Sequence, residues 1–389
     1  MYYTPGLNNY RLKHEEDLSG EKFDEGGACS DNKRSDRNAV FFGIGYKKCF
    51  GREFIMKESS TPKVLNWLLE KENPSIRYFT LTSLLGRDQD DPEVKEARQF
   101  IMTEGVVPKI MARQNADGSW GDPMRFYRDK YQGTSWTLLI LAELGADPDD
   151  SGIRRACEFI LNRSQEPMHG GFSYDTSSKT GTGLPGGVIP CLTGNMVFSL
   201  VKLGYQKDPR VTQAIEWITT YQRADDGILQ PQKGELYDRR KMCFGAHSCH
   251  MGVAKTLKGL TAVPKDERTI EINETIEKLT EYFLIHHLYK KSHDLQEVAK
   301  PGWLKLGFPL MYQTDILELL VIFRELGIRD PRLQDAADIL KKKRLDNGTW
   351  KLENTFNGRT VVSIEKKGAP SKWITLKALI ALKEDEGEG

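Results

Sequence analysis

The sequence predicts an all-α protein assembled from repeated helical hairpins, and three observations predict it. The pair Leu-Gly closes an apolar stretch at Leu85-Gly86, Leu144-Gly145, Leu203-Gly204 and Leu326-Gly327, and the first three glycines stand 59 residues apart. Each closure is followed by an acidic start signal at Asp90-Asp91-Pro92, Asp149-Asp150-Ser151, Asp208-Pro209 or Asp330-Pro331. A Gly-rich break then separates two helices, at Asp117-Gly118, Gly170-Gly171, Asp226-Gly227 and Asn347-Gly348. Self-similarity at a fixed period marks a repeat architecture and outranks the two-domain prior that 389 residues would give.

Taken in order, residues 1–40 are rich in Gly, Asn, Asp, Lys and Arg and carry no apolar period. Residues 1–55 therefore read as a disordered or mis-annotated N-terminal extension, with Met56 as the true start and 56–389 as the helical domain. Helical patterning begins with a half-unit over 61–85. The Asp before each outer helix reads as an N-cap, and Pro at the first turn presets φ. Val94, Ala97 and Phe100 recur as Ile153, Ala156 and Phe159, then as Val211, Ala214 and Trp217. The second, more apolar helices run over 135–144, 193–203, 250–260, 314–326 and 372–382, which with the half-unit makes six units. Such hairpins cannot bury their apolar faces singly and must stack, in an open solenoid or a closed ring.

Lys and Arg number 56 against 55 Asp and Glu, for a net charge of +1. That balance gives no electrostatic footprint for nucleic acid. No apolar run approaches the length of a membrane span, and the early Asp and Glu leave no room for a signal peptide's apolar region. Six cysteines in so long a chain are too sparse for a disulfide scaffold, so the expected location is the cytoplasm.

The segment Gln114-Asn115-Ala116-Asp117-Gly118-Ser119-Trp120-Gly121 resembles the QW motif (Q-x-x-x-G-x-W) of squalene and hopene cyclases, with degenerate copies at 222–229 and 343–350. On this match, from about residue 60 to 383, the chain resembles the α/α-toroid superfamily of terpene cyclases and protein prenyltransferases. The resemblance implies an (α/α)6 toroid, with inner-helix N-termini around a central funnel and the motif's Gln and Trp tying each turn to the next helix. It says little about chemistry, because such rings host unrelated activities.

Three groups of residues are candidates for function. Asp88-Gln89-Asp90-Asp91 spells the D-x-D-D string with which hopene-type cyclases protonate an alkene. It lies at the same phase as Asp149-Asp150 and reads instead as a surface helix cap. The chain is also about one ring long, where hopene-type cyclases use two helical domains. The second group is Cys243, His247, Cys249 and His250, with Cys191 at the corresponding place one unit earlier. Thiolate and imidazole suit zinc. The resemblance, which extends to lanthionine synthetase cyclases, points to Zn2+ held by Cys191, Cys243, His247 and Cys249, with His250 as substitute. The alternative is small buried cysteines beside a structural histidine. Cys157 reads as core, and Cys29 and Cys49 belong to the extension.

The third group lines the implied funnel. Tyr131 and Trp136, Phe308 and Tyr312, and Lys372 with Trp373 stand at inner-helix starts. Aromatic faces suit isoprenoids and developing carbocations. Trp136, Phe308 and Trp373 are the expected substrate contacts, with Tyr312 and Asp315 as catalytic candidates. Asp315 could equally be a metal ligand or an N-cap. Arg239, Arg240, Lys241 and Lys255 could form a basic rim for a diphosphate. His286, His287 and His293 lie in a polar stretch and are expected at the surface.

The leading reading is a zinc-assisted enzyme acting on an isoprenoid or other apolar small molecule. A non-catalytic toroid with a structural zinc, binding a partner not visible in the sequence, is the second. A carbohydrate-active α/α ring using paired carboxylates is the third, since the acidic residues concentrate in linkers and helix starts.

Overall fold

The structure is a computed structural model that describes residues 61–383. The readings for 1–55, Met56, Cys29 and Cys49 lie outside the described residues. Among the described residues fourteen α-helices alternate in two roles. The chain enters through α1 (Thr61–Leu68) and α2 (Pro74–Phe79), prolonged by a π-helical turn at Thr80–Leu84. Next, α3 (Pro92–Phe100) and α4 (Val107–Met111) lead to α5 (Thr134–Glu143), and α6 (Ser151–Arg163) leads to α7 (Pro190–Lys202). Helices α8 (Pro209–Tyr221) and α9 (Glu235–Arg239) precede α10 (His250–Ala262). Finally α11 (Ile270–Ile285) precedes α12 (Ile316–Glu325), and α13 (Gln334–Lys342) precedes α14 (Lys372–Ala381).

The start signals act as caps. Asp91, Asp150 and Asp208 accept from the amides of Glu93, Gly152 and Arg210, each at 2.8 Å. Asp330 does the same with Arg332 at 2.8 Å, at the 3-10 turn ahead of α13. Each such cap contributes about 1 kcal/mol. The D-x-D-D string is part of this set: Asp91 caps α3, and the amide of Asp90 donates to Asp88 Oδ1 at 2.7 Å. At the other ends Gly86, Gly145, Gly204 and Gly327 take φ of +69°, +71°, +85° and +73°, the left-handed conformation that ends a helix without a Cβ penalty. Helix α11 has neither signal: Thr269 caps it, and the sequence reading passes over it.

Burial separates the two roles. In α6 the buried residues Gly152, Ile153, Ala156, Cys157, Phe159, Ile160 and Leu161 leave Arg154, Arg155, Asn162 and Arg163 exposed, as on a helix with one side in water. By contrast, every residue from Thr134 to Ala142 in α5, from Leu192 to Val201 in α7 and from Gly252 to Thr261 in α10 is buried. Helix α7 packs against α5 and α10, α10 against α12, α12 against α14, and α14 against α2. Arg98 reaches from α3 to the carbonyl of Gly145 just past α5 (3.1 Å). The α7–α10 seam is the tightest. A Cβ on Gly194 would stand 2.3 Å from the carbonyl of Lys255, so only glycine fits there.

Turns are latched to the helices they precede. The amides of Trp120, Phe172, Asp225 and Trp350 donate to Oγ of Thr134, Thr193, Ser248 and Thr375 at 2.8–3.1 Å. Gln114 Nε2 also donates to the carbonyl of Gly152 in α6 (2.8 Å), and Gln165 Nε2 to that of Arg210 in α8. The few strands are short antiparallel pairs, β1 (Lys290–Lys291) with β2 (Asp294–Val298) and β3 (Trp350–Lys351) with β4 (Pro370–Ser371). No helix among the described residues is long and apolar enough to cross a membrane.

Candidate functional site

Aromatic side chains gather where the inner helices begin. Gly133 precedes α5, and the turn before it presents Tyr127 and Tyr131 to Trp136 in the first turn, with ring centroids 4.8 and 5.2 Å from the indole. Trp136 is fixed by donating Nε1 to the carbonyl of Tyr127 (2.7 Å). Tyr312, from the segment before α12, lies 6.2 Å from Trp136 and 6.4 Å from Tyr131. Phe356, from the last long loop, lies 4.2 Å from Tyr131. That loop is held there because the Tyr131 amide donates to the carbonyl of Arg359 (2.8 Å). Tilted and edge-on pairs of this kind each add about 0.5–1.5 kcal/mol beyond area burial.

Two exposed cations lie across the rings. Lys130 Nζ is 4.7 Å from the centroid of Tyr312 and 5.4 Å from that of Tyr127, and the Arg359 guanidinium is 5.1 Å from that of Tyr131. The thiols come next. Burial pushes the Cys191 thiol up to about 12, with the neighbouring Cys249 and Cys243 thiols adding to the rise and Lys130 opposing it. Burial and Cys249 likewise push Cys243 up to about 11. Tyr312 rises to about 12, through burial and its hydrogen bond with Tyr131. The thiols of Cys191 and Cys243 and the Tyr312 phenol are therefore neutral at physiological pH. The result is a largely buried, uncharged cluster of rings and thiols with two positive charges at its exposed edge.

The four expected zinc ligands are divided. Cys191, Cys243 and Cys249 gather at the starts of α7 and α10, with the Cys249 amide donating to the Cys243 carbonyl at 3.0 Å. His247 is engaged elsewhere: its exposed ring places Nδ1 3.0 Å from Oδ1 of Asp226. The substitute, His250, is buried and stacked on Trp303 at 3.6 Å, and burial holds its pKa well below 6.5. Among the described residues no group of three or more His, Cys, Asp or Glu side chains is arranged to hold a metal ion. Among the described residues the four expected ligands are thus not brought together as one set.

The other candidates fall elsewhere. Phe308 and Trp373 stack on each other at 4.4 Å, with Trp373 also tilted against Phe79 at 6.0 Å, in a second aromatic group. Asp315 is 1% exposed and caps α12, with Oδ1 accepting from the Glu318 amide and Oδ2 from the Gly307 amide, each at 2.8 Å. Burial raises its pKa to about 7. Lys255 is no rim residue, since it is buried against Glu318. His286 is buried too, its Nδ1 2.9 Å from the carbonyl of Lys290. Lys130, Arg359 and Phe356 were not anticipated. A cation one residue before Tyr131 at a helix entrance was a usable signal for the first, but loop residues 352–369 offered none.

Fold and site together define a helical-hairpin protein with an aromatic, cation-crossed cluster at its inner-helix starts. No protein-family model matches the chain, and no curated protein matches it. Its structure is similar to those of the type II terpene cyclase MstE from Scytonema. The apo form is 14% identical, covers 80% of this chain and 87% of that one, and gives a TM-score of 0.37. A variant bound to its substrate, geranylgeranyl dihydroxybenzoate, is 14% identical over 82% and 97%, with a TM-score of 0.35. A protein from Actinoplanes is 14% identical over 71% of this chain and 96% of its own, with a TM-score of 0.28. Likeness this distant carries no chemistry from one chain to another.

Proposed function

We propose that the hairpins close into an (α/α)6 ring and that the protein is a terpene-cyclase- or prenyltransferase-like enzyme for an apolar, isoprenoid-like substrate. The closure is supported by the continuous packing of α5, α7, α10, α12, α14 and α2, and by the Arg98 contact at the end of α5. The observation that carries the substrate class is the convergence of Tyr127, Tyr131, Trp136, Tyr312 and Phe356 from three separate segments. An apolar chain laid on these rings leaves water, and π-faces stabilise positive charge that develops on it. Lys130 and Arg359 would meet an anionic head group at the exposed edge. Tyr312 is the hydroxyl proposed to touch substrate. Asp315 is a positioning residue that holds the segment carrying Tyr312 on the start of α12.

The test is melting temperature with squalene, farnesyl diphosphate and geranylgeranyl diphosphate. At a hundred times Kd a ligand stabilises the fold by about 2.7 kcal/mol, a readable shift. At least one of the three is expected to raise the melting temperature of the wild type and not that of Trp136→Ala. If all three leave the wild type unmoved, the apolar-substrate reading is lost.

A further inference from the structure

A cavity of about 390 Å3 lies among the inner helices. Residues of α2 and its π turn, α5, α7, α10, α12 and α14 all border it. None of the residues of the Trp136 cluster does. Its walls are apolar at Phe79, Phe198, Ile322, Trp373, Leu376 and Ile380. Cavities of roughly 300–1,000 Å3 with apolar walls and a few converging polar groups are the usual form of a small-molecule site.

The polar groups are unequal in charge. Lys255 Nζ donates to both oxygens of Glu318, at 2.7 and 2.6 Å. Lys258 Nζ donates to the same carboxylate at 3.0 Å and to Glu143. Lys377 Nζ donates to the other oxygen of Glu143 at 2.7 Å. Three ammonium groups thus share two carboxylates, in side chains that are at most about one-fifth exposed. Excess charge of one sign in a low-dielectric wall is relieved by a counter-ion of the other.

Lys377 is the donor best placed to supply that contact. Among the described residues Glu143 is its one hydrogen-bond partner, and an ammonium has three protons to give. Lys258 spends its hydrogen bonds on two carboxylates, and each of the two ammonium groups lies by a ring, Lys258 at 4.2 Å from Phe198 and Lys377 at 5.1 Å from Phe308. We propose that this cavity binds a small amphipathic organic carboxylate, its head group taken by Lys377 and its apolar body lying between Trp373 and Ile380. The site is distinct from the Trp136 cluster and does not depend on the function proposed for it.

The experiment is calorimetric titration of the full chain with decanoate, and with decylammonium and decanol as arms of equal chain length. Decanoate is expected to bind saturably and at least about tenfold more tightly than either, the worth of one charge-assisted contact. Lys377→Met should weaken it about tenfold. Ile380→Trp, which fills the wall and leaves every charge in place, should abolish saturable binding, while Trp136→Ala should leave it unchanged. Circular dichroism confirms that each variant is folded. Equal binding of decanol and decanoate, tighter binding of decylammonium, or decanoate binding indifferent to Ile380→Trp would overturn the assignment. Prenyl ligands that shift the melting temperature of Ile380→Trp as they do the wild type would separate this outcome from the fate of the Trp136 site.

Discussion

Replacing Glu318 by Gln isolates the cost of the buried charge network. The carboxylate is 5% exposed and serves Lys255, which is wholly buried, as well as Lys258. Glutamine keeps the volume but removes the charge, leaving Lys255 an ammonium without a counter-charge. Breaking a buried pair from one side costs about 3–5 kcal/mol. A second route gives the same size. Burial alone would raise the Glu318 carboxyl, yet Lys255 and Lys258 hold it down at about 2, below the ordinary 4.5. At 1.36 kcal/mol per unit that difference carries on the order of 3 kcal/mol. Because the folded-state pKa is depressed, this stability is fully present above pH 4.5 and is lost as pH falls towards 2. Urea unfolding of the wild type and Glu318→Gln, followed by circular dichroism at several pH values, measures both effects. The gap between the two proteins should be about 3 kcal/mol at pH 7 and should close on acidification. Pairing Glu318→Leu with Lys255→Met should recover most of the loss, since an apolar pair of similar volume replaces a buried ion pair at little cost. A Glu318→Gln cost under about 1 kcal/mol, or a double variant no better than the single one, would refute the reasoning.

Three further outcomes are expected. Gly194→Ala should destabilise the fold by at least about 1–3 kcal/mol in urea unfolding, because a Cβ 2.3 Å from the Lys255 carbonyl forces α7 and α10 apart. Asp315 has the opposite linkage to Glu318. Its folded pKa of about 7 lies above the ordinary 3.8, so its contribution is complete below pH 3.8 and is lost as pH rises to 7. Asp315→Asn, which does not titrate, should therefore gain on the wild type by up to about 4 kcal/mol between pH 4 and pH 8, read from unfolding curves at the two pH values. Elemental analysis of purified protein should find zinc well below one equivalent, and stoichiometric zinc lost on Cys249→Ala would reverse the reading of the cysteine cluster.

Local signals in the sequence carried most of the fold, because caps and closures act within four residues. Asp91, Asp150, Asp208 and Asp330 hold their helices as their spacing implies, and the glycines after Leu85, Leu144, Leu203 and Leu326 end them. Helix α11 escaped because Thr269 takes the place of Asp-Pro. Trp136 and Tyr312, both read from the sequence as standing at inner-helix starts, lie with their rings 6.2 Å apart. His247 could not be assigned from spacing, since its partner Asp226 lies 21 residues upstream across a turn. The same holds for Lys255 and Lys258, whose partner Glu318 is 63 and 60 residues away. Two lysines in an apolar helix announce a buried counter-charge without saying where it comes from.

The glutamine bridges between neighbouring units end on main-chain oxygens, those of Gly152 and Arg210. A joint written in backbone atoms is blind to side-chain drift on the accepting helix, so one unit can diverge without consulting the next. Exchange of whole hairpins therefore preserves these two seams, whereas a cut through a turn that carries such a glutamine opens one.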